Sequence, residues 1–196
     1  AAGNPLFLTE LVAAARDVGD VAGLPDNVDA LVAASIDRLP PPDRELLRRL
    51  AVLGYSFADD LLPAVVEPGS ALDPAVWRRV EEYLERDPSG RWRFEHAVVR
   101  DCAYAGLAYR ARRDLHSRVG DTLRSHAASP DEEPVELLSL HFLHAERFDE
   151  AYRYACVAAD DAREMYADHE AAELYQRALD AARRLPEVGA GEHARL

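Results

Sequence analysis

Apolar positions recur at helical spacing along most of this chain, and at one place the period changes. Leu8, Leu11, Val12 and Ala15 form one face, and Val28, Leu31, Val32, Ser35, Ile36 and Leu39 form another, which predicts two amphipathic helices separated by Gly19 and Gly23. Asn4 and Pro5 suit the start of the first, because an Asn side chain accepts from unpaired N–H groups and a proline in the first turn gives up no bond. Pro40-Pro41-Pro42 stops the second. Leu46, Leu47, Leu50, Ala51 and Leu53 predict a third helix, entered through Asp43, whose charge suits the helix dipole, and ended by Gly54. A short helix from Asp59 or Asp60 to Val66 is expected next. Another runs from Asp73 to Arg86, burying Val76, Trp77, Val80, Tyr83 and Leu84.

The period changes at His96. Trp92 and Phe94 alternate with Arg91, Arg93 and Glu95, the pattern of a half-buried strand, whereas Val98, Val99, Cys102 and Ala103 return to helical spacing. Pro88-Ser89-Gly90 can turn the chain sharply just before that strand. Helix, tight turn, strand and helix in this order suit a winged helix with one small strand pair near Arg91 to Glu95. Beyond Gly106 only helices are expected, over residues 109–126, 135–144, 148–163 and 168–185. Ala151, Ala155, Ala158, Ala159 and Ala162 put small residues on one side, so that helices can approach closely. Ala171, Tyr175, Ala178 and Leu179 before Pro186 resemble part of a tetratricopeptide repeat. The expected fold class is mainly α: a helical segment over residues 1–39, a winged helix over 40–107, and tetratricopeptide-like antiparallel helical repeats over 108–196. Glu187 to Leu196 reads as a linker, and the last helix would leave an apolar edge unless more repeats follow, so the chain reads as part of something longer.

Composition narrows the chemistry. With 196 residues, 48% of them hydrophobic and 30% charged, the chain can bury a core. Its net charge of −13 repels nucleic acid and anionic membranes unless a basic face is segregated. No apolar run approaches the ~20 residues of a membrane span, and Ala1-Ala2-Gly3-Asn4-Pro5 lacks the basic start of a signal peptide. A cytoplasmic location is expected. All 23 basic residues are Arg. A phosphate-binding G-x-x-x-x-G-K-[ST] loop and a Schiff-base lysine are therefore excluded within the chain. Cys102 and Cys156 lie in apolar helical stretches without CxxC spacing, which suggests two buried thiols.

Candidate sites are few. His141 and His144 stand at i, i+3, the spacing of a helical metal pair, but no third ligand accompanies them, and ordinary helix histidines are the plainer reading. Asp168-His169-Glu170 reads as a helix start. Arg110, Arg112, Arg113, Arg118 and Arg124 read as a solvated face or as partners for acidic helices. In the helix that would contact DNA, Arg78, Arg79 and Arg86 are offset by Glu81, Glu82 and Glu85. No Ser/His/Asp or paired-carboxylate constellation stands out, so no catalytic residue, metal or membrane partner is expected.

Several segments together resemble a family, the bacterial signal-transduction ATPases with numerous domains (STAND). They are Gly3-Asn4-Pro5-Leu6-Phe7-Leu8; Leu39-Pro40-Pro41 followed by Leu46-Leu47-Arg48-Arg49-Leu50-Ala51-Val52-Leu53-Gly54; Phe94-Glu95-His96-Ala97-Val98-Val99-Arg100-Asp101; and Arg112-Arg113-Asp114-Leu115-His116. More loosely, Leu137-Leu138-Ser139-Leu140-His141 with Ala145 looks like the opening of that family's helical repeats. Such proteins are multidomain switches, found as large transcriptional regulators and beside adenylate cyclase domains. The resemblance implies a helical lid, a winged helix and superhelical repeats that follow a nucleotide-binding core. Gly3 and Pro5 then match the lid's GxP element, which touches the nucleotide. His96 matches the histidine of the winged-helix MHD element, which reaches the β-phosphate of ADP. Glu95 and Ala97 depart from that element's Met and Asp. The implied role is a non-catalytic regulatory module, with ATP or ADP bound only in the intact parent protein, and with the parent's nucleotide-binding domain and other proteins as partners. The alternatives are a winged-helix DNA-binding transcriptional regulator and a tetratricopeptide-like interaction scaffold. Read alone, Gly3-Asn4-Pro5 is a good helix cap, and His96 is a structural histidine at a strand-to-helix corner.

Overall fold

The structure, a computed structural model, describes residues 28–66, 72–129 and 132–185. Gly3, Pro5 and the first expected helix lie outside the described residues. What is described is mainly helical with one small antiparallel sheet, and the chain divides into two compact units, Ala1–Leu107 and Ala108–Leu196.

In the first unit, α1 (Val28–Arg38) buries Leu31, Val32 and Ile36, the face its periodicity predicts. Next, α2 (Pro41–Leu50) begins with prolines in its first turn and buries Leu46, Leu47 and Leu50. A 3₁₀ turn over Ala51–Leu53 continues it to Gly54, whose φ of 100° is a conformation that L side chains rarely adopt. Strand β1 (Ser56–Phe57), a 3₁₀ turn (Asp59–Leu61) and α3 (Leu62–Val65) follow. Helix α4 (Pro74–Val80) is capped by Asp73, whose carboxylate accepts from the Ala75 N–H at 2.8 Å. A 3₁₀ turn (Glu81–Tyr83) leads to β2 (Leu84–Arg86), then β3 (Trp92–Phe94) and α5 (Ala97–Ala105).

The helix expected over Asp73 to Arg86 therefore ends at Val80, and residues 84–86 are a strand. Three strands form the sheet, in the order β1-β3-β2, where the sequence pattern suggested one pair. The reason is pairing at a distance. Leu84 sits opposite Phe94, and Phe57 opposite Trp92, so partners remote in sequence determine which residues become strand. Phe57 and Phe94 are fully buried and meet edge to face with ring centroids 6.4 Å apart. The turn between β2 and β3 is held by Asp87. Its carboxylate accepts from the Ser89 N–H and hydroxyl at 2.8 and 2.6 Å and from the Arg91 N–H at 3.0 Å, while Gly90 takes a φ of 82°. Those hydrogen bonds, that from the Ser89 hydroxyl foremost, hold the Asp87 carboxyl below its ordinary range.

The second unit has helices and no strand among its described residues: α6 (Tyr109–His126), α7 (Val135–His144), α8 (Phe148–Glu164) and α9 (Asp168–Ala182). Each packs on the next. The expected alanine face is buried: Ala151, Ala155, Ala158, Ala159 and Ala162 lie inside on α8, and the last three pack with Ala171 and Leu174 of α9, which also buries Ala178, Ala181 and Ala182. The two connections flanking α8 are built alike. Arg147 N–H donates to the Phe142 carbonyl and Ala167 N–H to the Ala162 carbonyl, both at 2.9 Å, with Glu146 and Tyr166 each at φ 59°. This is the Schellman closure of a helix end, made here without glycine. Gly120 on α6 serves a close approach, since a Cβ there would lie 2.7 Å from the Phe142 ring.

Candidate functional site

His96 stands between β3 and α5, held in place by main-chain bonds. The Phe94 N–H donates to the Tyr55 carbonyl and the Glu95 N–H to the Tyr83 carbonyl, both at 3.0 Å. Trp92 and Phe94 face the core while Arg93 points outward to Glu85 at 2.8 Å. His96 then takes an extended φ of −133° as the residue before α5, and its carbonyl accepts from the Val99 N–H at 3.1 Å. On its other side α5 is anchored by buried Val99 and Ala103, and by Arg100, whose Nε donates to the Ala51 carbonyl at 3.0 Å. The imidazole itself is half-buried and does not cap the helix. A fixed backbone thus carries a half-buried imidazole that makes no capping bond, at a helix start, where partial positive charge favours anions.

Toward the other end of α5, residues of α1, α2 and α5 line an open cavity of ≈ 500 Å³ that includes Asp29, Asp37, Arg48, Cys102 and Gly106. Arg48 donates to Asp37 at 2.6 Å, and its guanidinium lies against Gly106, where a Cβ would come within 2.6 Å of Nε. Both cysteines are free thiols, half-buried where full burial was expected. Cys102 donates to the Asp29 carbonyl at 3.4 Å, and burial, followed by the carboxylates of Asp29 and Asp101, pushes its thiol above the ordinary value.

The arginines considered for DNA are largely engaged in the protein. Arg79 forks onto Asp43 with bonds of 2.5 and 2.7 Å, and Asp43 is only 2% exposed. That hydrogen-bonded guanidinium holds the Asp43 carboxyl below its ordinary value. Arg86 bonds to both Asp59 oxygens at 3.0 and 2.9 Å and lies 4.0 Å above the Trp92 ring, whose N–H also donates to Asp59 at 2.7 Å. Arg78 alone of the three is exposed without such a tie among the described residues.

In the second unit Arg113 pairs with Glu146 at 3.5 Å, and Arg124 with Glu150 at 2.9 Å and Asp121 at 2.7 Å, the expected partnership with acidic residues. Arg147 bonds to the same Glu150 and Asp121, and the two guanidinium groups lie over Phe142 at 5.4 and 4.3 Å. His141 and His144 do not face each other as a metal pair. His141 is buried with its Nδ1 2.9 Å from Nδ1 of His116, and His144 stacks on the His116 ring at 4.7 Å. Among the described residues no group of three or more His, Cys, Asp or Glu could hold a metal ion. The part played by His116 was not read from the sequence, although it closes the Arg112-Arg113-Asp114-Leu115-His116 segment. His169 is exposed, 3.6 Å from Glu173. No helix of the described residues is long and apolar enough to cross a membrane.

The described residues are thus mainly helical with a small sheet, and His96 stands at a helix N-terminus without a capping bond. The chain matches no family model, no curated protein and no solved structure. Its functional reading rests on its own residues.

Proposed function

We propose that the chain is the regulatory part of a nucleotide-switched ATPase of the STAND kind, comprising lid, winged helix and the first helical repeats, and that it couples nucleotide state to a sensor or output domain. One observation supports this above the others. His96 is positioned by main-chain bonds on both sides, yet its ring caps nothing, at a helix N-terminus, where an anion such as a phosphate oxygen is favoured. The order of α2, β1, α3, α4, β2 and β3, with the sheet order β1-β3-β2, supports a winged helix, and the matching turns around α8 support a repeat array. The chain carries no lysine for phosphoryl transfer, so hydrolysis is assigned to another part of the parent protein. DNA binding is the weaker reading, because Arg79 and Arg86 are held by Asp43 and Asp59. Calorimetric titration of the intact parent protein with ADP tests the proposal. Saturable binding of one ADP is expected. Absence of ADP and ATP binding by a folded parent would refute it.

A further inference from the structure

His116 on α6 and His141 on α7 are each 3% exposed, and their Nδ1 atoms are 2.9 Å apart. Two ring nitrogens at that distance need one proton and one lone pair between them. In the neutral pair one ring is therefore the Nδ1–H tautomer and the other carries its proton on Nε2. One added proton is compatible with the bridge, because a single Nδ1–H facing a single Nδ1 lone pair can remain, and the bond is then charge-assisted. A second must go onto the accepting Nδ1. Two N–H donors would then point at each other, and two cations would lie buried with ring centroids 5.0 Å apart.

We infer that His116 and His141 form a proton-counting clasp, which holds α6 against α7 while the pair carries at most one positive charge and releases them when both rings are protonated. Several charged groups on the packed elements are paired with one another. On α6, Arg113 pairs with Glu146, and Arg112 lies one turn before His116. On α7, exposed His144 stacks on His116 and opens into a cavity of ≈ 420 Å³ lined also by Tyr109, Glu146, Asp180, Arg183 and Arg184. There Tyr109 donates to Glu146, Arg183 pairs with Asp180 at 3.0 Å, and Arg184 lies over Phe148. Arg147, just before α8, bonds to Glu150 on that helix. Within this set the histidines are the groups whose ordinary titration falls between pH 5 and 8.

The sign follows from proton counting. Unfolded, the two rings take up two protons as pH falls through about 6.5, whereas the folded clasp takes at most one. The clasp's contribution is complete above that pH and is lost below it, because the unfolded chain binds the extra proton.

Imidazole ¹⁵N NMR of the chain, titrated from pH 8 to 5, tests the inference, together with urea unfolding of wild type and His141→Gln. The expected spectrum at pH 8 has one Nδ1–H ring and one Nε2–H ring coupled across the bridge. Below about pH 6 the folded-to-unfolded ratio of wild type should fall about tenfold per pH unit more steeply than that of His141→Gln, the equivalent of one proton. Equal slopes, or two rings of wild type titrating independently as single-proton groups, overturn the clasp. The wild-type NMR decides the matter even if His141→Gln does not fold.

Discussion

The two units solve the same problem, burying a face, with different residues. The first uses aromatic and branched side chains brought together from distant positions, Phe57 from β1, Leu84 from β2 and Trp92 and Phe94 from β3 between them. The second uses alanines at fixed intervals along adjacent helices joined by three-residue turns. Buried polar groups differ in the same way. The first unit pairs opposite charges, Asp43 with Arg79, while the second buries two histidines that share a hydrogen bond. A core built from large rings is sensitive to loss of volume, and one built from methyl groups is sensitive to its gain.

Phe94→Ala should have the largest effect. The ring is fully buried against Phe57, and its removal should cost about 3–5 kcal/mol, measured by urea unfolding. Ala159→Leu probes the opposite sensitivity. Ala159 is fully buried on the close face of α8, and the larger side chain should cost about 1–3 kcal/mol. If Ala159→Leu were neutral, the helices of the second unit would not be close-packed and the contrast would fail. Gly90→Ala should cost about 1 kcal/mol, through its φ of 82° alone, because nothing lies within 4 Å of the added Cβ.

The smallest and most conditional effect concerns charge. Asp43 has its carboxyl held below the ordinary value by Arg79, so its pairing stabilises the fold above the unfolded Asp range, about 3.9, and is lost as pH falls through the folded value. Asp43→Asn should accordingly be less stable than wild type at pH 6, with the gap narrowing toward pH 3. A gap that widened in acid would mean the ion pair is not what holds α2 to α4.

The same contrast explains what could be read along the chain. Alanine spacing in α8 and α9 and leucine spacing in α2 are local signals, and the structure follows them closely. Leu84-Glu85-Arg86 looks helical in its own neighbourhood and becomes a strand only because Phe94 and Trp92 lie alongside. Two-residue β1 is too short to carry any period. The position of His96 between strand and helix was legible because the period changes there, and the structure adds that its ring caps nothing. His116 was not legible as a site, since its partner His141 is 25 residues away and only helix packing brings the rings together.

Under the proposed role His96 serves a ligand rather than the fold, and ADP dissociation from the intact parent protein, measured for wild type and His96→Ala, separates the two. A charge-assisted contact to phosphate contributes about 1–3 kcal/mol, so the variant should release ADP roughly 5- to 150-fold faster. Its thermal stability without nucleotide should stay within about 0.5 kcal/mol of wild type, because the half-buried ring makes no capping bond. Unchanged ADP release from a folded His96→Ala protein would contradict the account and leave His96 as a corner residue between β3 and α5.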